Sequence, residues 1–83
     1  MVFKDKGENK MNTIYIPNGG CEMVITNGKP QDNTVKINRQ LLITGNDLEP
    51  KKHEMVKVFM PNGFMYNGQI YLKTRDYAYI YLY

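Results

Sequence analysis

From Asn12 onward, apolar and polar residues alternate with a period of two. Ile14 and Ile16 alternate with Thr13 and Tyr15, and "CEMVIT" at 21–26 makes a second short run. Val35, Ile37, Leu41 and Ile43 fall at even spacing, with Arg39 interrupting the apolar face, which predicts one long bent strand or two short ones. Val56, Val58 and Met60 form the next run, then Tyr66, Ile70 and Leu72. Ala78, Ile80 and Leu82 close the chain, alternating with Tyr77, Tyr79, Tyr81 and Tyr83. A period of two puts successive side chains on opposite faces of a strand. No stretch of ten or more residues carries the i, i+3, i+4 spacing of an amphipathic helix, and at most one helical turn is expected around "EPKKHEM". The pattern predicts an all-β domain, a small antiparallel barrel or sandwich of about six or seven short strands, because its linkers are too short for crossovers.

The punctuation supports this reading. "IYIPNGG" at 14–20 and "VFMPNGF" at 58–64 end two strands with the same tripeptide. Pro presets φ near −65°, Asn tolerates the second position, and Gly accepts the positive φ of a bulged hairpin. Both copies are therefore expected to be hairpin turns. Asn-Gly also occurs at 27–28 and 67–68. The last pair falls inside an apparent strand and reads as a bulge. "QDN" at 31–33 reads as a polar loop, "GNDLEPKKHE" at 45–54 as a charged connection, and "KTRD" at 73–76 as a further turn. Residues 1–11 are polar without a period and are expected to be a flexible tail ahead of a single domain at 12–83.

Eighty-three residues, 42% hydrophobic, suit one small domain with a modest core. The net charge of +3 is mild, and its charges are scattered. Ordinary solubility accounts for it as well as a nucleic acid or an acidic protein partner would. The one cysteine, Cys21, cannot form an internal disulfide, which points to a reducing, cytoplasmic location. No apolar stretch approaches the length of a membrane span, so no membrane association is expected.

Little catalytic equipment is present. His53 is the only histidine and Cys21 the only cysteine, so a nucleophile–base dyad would require those two to meet. They also fall short of a zinc ligand set, and "PNGG" lacks the strand–helix context of a phosphate loop. Asp47, Glu49 and Glu54 share a charged loop and read as a solvated cluster. The chain is expected to be non-enzymatic and without a cofactor.

The tyrosines carry more information. Tyr77, Tyr79, Tyr81 and Tyr83 share one face of the last strand, and Phe59 and Tyr71 hold the equivalent positions in the hairpin before it. Covered, they are the second apolar face of a sandwich or barrel strand. Exposed, they are a protein-binding surface, since tyrosine supplies rigid amphipathic area. Flanked by Lys57, Lys73 and Arg75, the same rings and Tyr77 in particular could stack single-stranded bases. At a sheet edge, the last strand could extend a partner's sheet or that of a second copy, giving a homo-oligomer.

"VKVFMPNGFMYNGQI" at 56–70 resembles the first motif of the Sm/Hfq-like small-barrel family. Val56, Val58, Met60, Asn62-Gly63, Tyr66, Gly68 and Ile70 match its apolar alternation, turn, aromatic, glycine and apolar residue. The resemblance implies an SH3-like barrel, ring assembly, and RNA binding through a loop after the second strand, where Asp76 and Tyr77 fall. It falls within the last third of the chain, and neither the family's second motif nor its N-terminal helix is present. The reading from the residues is an interaction module that binds a protein through Phe59, Tyr71, Tyr77, Tyr79, Tyr81 and Tyr83, in the manner of phage accessory or inhibitor proteins. The alternative is a nucleic-acid-binding barrel using Lys57, Lys73, Arg75 and Tyr77.

Overall fold

A computed structural model describes residues 11–83, so all but Met11 of the expected tail lies outside the described residues. The described residues form β1 (Asn12–Tyr15), β2 (Cys21–Thr26), β3 (Lys29–Asn38), β4 (Met55–Phe59), β5 (Met65–Lys73) and β6 (Tyr77–Leu82), with a 3-10 turn at Arg39–Leu42. The strands make one six-stranded sheet in the order β1-β4-β5-β6-β3-β2. All pairings are antiparallel except β1 with β4, which run parallel.

One sheet rules out the sandwich. A flat six-stranded sheet would hold its edge strands about 24 Å apart, whereas β1 and β2, the two edges, are joined by residues 16–20, which reach about 21 Å fully extended. That linker is also folded, with the Gly20 N–H donating to the Pro17 carbonyl at 2.8 Å. The sheet must therefore curl, and its concave face holds the core. Ile14, Ile37, Val56, Val58, Ile70, Ala78 and Ile80 are all essentially inaccessible.

The two Pro-Asn-Gly copies are used differently. The second is a hairpin turn as expected. Met60 N–H donates to the Phe64 carbonyl at 2.8 Å, Gly63 N–H to the Met60 carbonyl at 3.0 Å, and Gly63 sits at φ +93°. The first does not make a hairpin: it carries the chain from one edge of the sheet to the other, with Pro17 opening the turn and Gly19 at φ +74°. The two copies nevertheless lie side by side. Each residue of β1 faces the residue 44 positions on, from Asn12 opposite Val56 to Tyr15 opposite Phe59. That offset also relates "IYIPNG" to "VFMPNG". The repeated phrase is a pair of parallel strands in register, extended by the Ile16 N–H donating to the Phe59 carbonyl at 2.8 Å.

Four further expectations change. Leu41 and Ile43 do not continue a strand, because the Asn38 side chain accepts the Gln40 N–H at 2.9 Å and starts the 3-10 turn that buries Leu42. Among the described residues, the helical turn lies there rather than around "EPKKHEM". "QDN" belongs to β3, which continues through Pro30 to an Asn27-Gly28 turn with both φ positive, at 54° and 78°. Two positive φ values are the signature of the two-residue type I′ hairpin. Asn67-Gly68 lies within β5, and the register shift falls two residues later, between Ile70 and Leu72.

Residues 43–54 cross one end of the curled sheet and are held by side chains. Asn46 accepts the Thr13 N–H at 3.3 Å and donates to the Thr13 and Leu42 carbonyls, so it pairs with β1 where a further strand would. Pro50 is fully buried. Glu54 binds Asn12 at 2.6 Å and the Lys51 N–H at 2.9 Å.

Candidate functional site: the outer tyrosine face

Alternation on β6 separates its two faces. Ala78 and Ile80 enter the core at 0% exposure, while Tyr77 and Tyr81 stand outward at 40% and 41%, and Tyr83 just beyond the strand at 61%. Tyr79, between them, is half-buried. The bulge after Ile70 puts Leu72 opposite Tyr79, and the Tyr71 ring lies 6.0 Å from the Tyr79 ring at a tilt of 53°. Burial, and then the neighbouring Tyr79, push the Tyr71 hydroxyl above its ordinary pKa. Tyr81 and Tyr83 meet edge to face at 5.4 Å. The Tyr83 N–H donates to the Asn67 carbonyl at 2.8 Å, and its hydroxyl to Gln69 Oε1 at 3.2 Å, which fixes the last ring on the sheet.

Five of the six expected contact residues, Tyr71, Tyr77, Tyr79, Tyr81 and Tyr83, thus share one convex surface. Phe59 is set apart by the polar pair Lys57 and Asn67 and stacks instead on Tyr15, ring centres 5.3 Å apart and 9° from parallel. Tyr15 was not among the expected residues. Its signal was the repeated phrase, since parallel register puts equivalent rings side by side. β6 lies between β5 and β3, so the last strand is not an edge and cannot itself extend another sheet.

The expected cations are dispersed. Lys57 lies opposite Asn67 on the outer face. Lys73 lies opposite the core residue Ala78, and its ammonium is held by Glu49 at 2.9 Å and by the Pro50 carbonyl. Arg75 is in the β5–β6 turn, by a shallow hollow lined also by Arg39, Glu49 and Asp76. Glu49 joins Arg39, at 2.8 Å, to Lys73. Hydrogen bonds from Arg39 and Lys73 hold its carboxyl below the usual carboxylate range. Among the described residues, the cation that meets a tyrosine ring is Lys36, unpredicted from sequence, whose Nζ lies 4.3 Å from the Tyr77 ring centre and 3.7 Å from Glu22.

Cys21 heads β2 opposite Ile37, half-buried against the core, and burial pushes its thiol up. His53, at φ +73°, donates its N–H to the Ile70 carbonyl of β5 at 2.6 Å. β3 and β6 lie between their strands, so the sheet does not bring the two together. Among the described residues, no three His, Cys, Asp or Glu side chains are grouped to hold a metal, and no helix is long and apolar enough to cross a membrane.

No family model, curated protein or solved structure matches the chain. The likeness to the Sm/Hfq-like motif therefore rests on residues 56–70 alone, which here form the β4–β5 hairpin.

Proposed function

We propose that the protein is a non-enzymatic interaction module that binds another protein through the convex tyrosine surface of β5 and β6. One observation carries this reading: the strands that fill the core with Ile70, Ala78 and Ile80 turn Tyr71, Tyr77, Tyr79, Tyr81 and Tyr83 outward, with three of these rings 40% exposed or more. Tyrosine is favoured at binding hot spots because it offers a large, rigid apolar area and a hydroxyl for the rim. Here ring–ring contacts at 5.4 Å and 6.0 Å limit the rings' freedom before any partner arrives, which lowers the ordering cost of binding.

The test is affinity capture from a lysate of the natural source, comparing the wild type with the Tyr79→Ala/Tyr81→Ala double variant, with and without nuclease. Each truncation of a hot-spot ring costs about 2 kcal/mol or more, so the double variant loses the captured protein, and nuclease leaves capture unchanged. Capture that nuclease abolishes, and that falls steeply with salt, would replace this reading with the nucleic-acid one suggested by the Sm/Hfq-like hairpin. Lys36 beside Tyr77 and Lys57 beside Asn67 would then carry the phosphate contacts.

A further inference from the structure

The two edges of the sheet are finished differently. The outer side of β1 is occupied by the Asn46 carboxamide, which bonds both the N–H and the carbonyl of Thr13. β2 pairs only with β3, and no described segment lies along its other side. Its sequence "CEMVIT" contains no proline and no lysine, its one charge, Glu22, is met by Lys36 at 3.7 Å, and its pairing with β3 shifts register between Met23 and Ile25. Met23 and Ile25 are 61% and 60% exposed, and Val24 between them is half-buried. Met23 lies opposite Val35, on the concave side of the sheet, but beyond the residues that fill the core.

We infer that β2 is a homodimer edge: it pairs antiparallel with β2 of a second copy, about a two-fold axis at Val24. The segment is complementary to itself in this register. Met23 of each copy lies opposite Ile25 of the other, Val24 opposite Val24, and Glu22 opposite Thr26. Four exposed apolar side chains are covered on one face, and no like charges oppose each other, a pairing that favours antiparallel strands. The two-residue Asn27-Gly28 turn makes Thr26 and Lys29 a hydrogen-bonded pair, so the Ile25 N–H and carbonyl point away from β3, toward the incoming strand. A six-residue strand pair buries less than the ~1,200 Å² of a standard interface, so the dimer is concentration-dependent, with Kd between about 1 μM and about 1 mM. The dimer is tested by Met23 and Ile25 of β2 and the binding surface by Tyr79 and Tyr81 of β6, so different substitutions read the two surfaces.

Sedimentation equilibrium from about 0.1 μM to about 1 mM reads the mass directly. The wild type moves from monomer toward dimer, and Met23→Lys/Ile25→Lys stays monomeric across the range with an unchanged thermal midpoint, since both side chains are exposed. The register is read by oxidation in a Cys21→Ser background. Val24→Cys places two thiols across the axis, within the Cα separation of about 4.4–6.8 Å that a disulfide requires, and gives a covalent dimer. Glu22→Cys, opposite Thr26, does not. A wild type that is monomeric throughout, a dimer that survives the double lysine substitution, or equal cross-linking of the two cysteine variants would each overturn the inference.

Discussion

Gly63 and Gly68 both belong to the hairpin at 56–70, yet each is required for a different reason, and replacing them separates the two. Gly68 lies in the buried stretch of β5, opposite Val56 on one side and Leu82 on the other. A Cβ there would stand 2.8 Å from Ile80 Cγ2 and 3.2 Å from the Tyr81 carbonyl oxygen. Ile80 is at 0% exposure, and the carbonyl belongs to the β6 backbone, so neither can move aside cheaply. Overpacking of this kind costs about 1–3 kcal/mol. In a domain of this size each kcal/mol lowers the thermal midpoint by about 4–8 °C. Gly63 has open space where its Cβ would be, but its φ is +93°, and its cost is backbone strain of about 1–2 kcal/mol. Alanine at either position destabilises. Asparagine, which tolerates positive φ, restores most of the loss at Gly63 and deepens it at Gly68. Thermal denaturation followed by circular dichroism distinguishes the four variants. A Gly68→Asn protein as stable as the wild type would refute the close approach of β5 and β6 on which the tyrosine surface is built.

Other consequences concern acid stability and chemical ageing. The Glu49 carboxyl is held below its unfolded value by Arg39 and Lys73. Its contribution is therefore present above the unfolded pKa of about 4.3 and is lost as pH falls through the lower folded value. Because the bridge is partly exposed, Glu49→Gln should cost about 1 kcal/mol at neutral pH. The difference in midpoint from wild type should close in acid, and a gap that persists at low pH would contradict this. The four Asn-Gly pairs should deamidate unequally, because the reaction needs the Gly N–H nitrogen to reach a mobile Asn side chain. Asn62 Oδ1 accepts the Phe64 N–H at 3.0 Å, Gly63 N–H is bonded to Met60, and Asn67 is paired within β5. Peptide mapping after incubation at alkaline pH should find Asn18 and Asn27 converted ahead of Asn62 and Asn67; the reverse order would contradict the turn assignments.

The parts of this fold that were legible in the sequence are those decided locally. Alternation through Val56, Val58, Ile70, Ala78 and Ile80 identified the strands whose one face fills the core, and Pro61-Asn62-Gly63 fixed the hairpin between β4 and β5. What a turn joins is not local. Pro17-Asn18-Gly19 has the same composition, yet it links opposite edges, because β1 finds its partner 44 residues away. The "QDN" stretch of β3 had no period to read, since it buries neither face. Asn46 and Glu49, which fasten the crossing segment, sat in a charged run that carried no sign of their partners. The tyrosine face was legible from alternation, but its exposure depended on how the sheet curls. Lys73 looked like a neighbour of that face until the bulge after Ile70 turned it toward Glu49.

The most direct test of the binding surface is site-specific photo-cross-linking in a lysate of the natural source. A benzophenone amino acid is placed at Tyr81, on the convex face, or at Lys52, exposed in the crossing segment. Tyrosine-face recognition predicts a discrete protein adduct from position 81, resistant to nuclease and absent from position 52. No adduct at 81 above that at 52, or an adduct that nuclease removes, would contradict it.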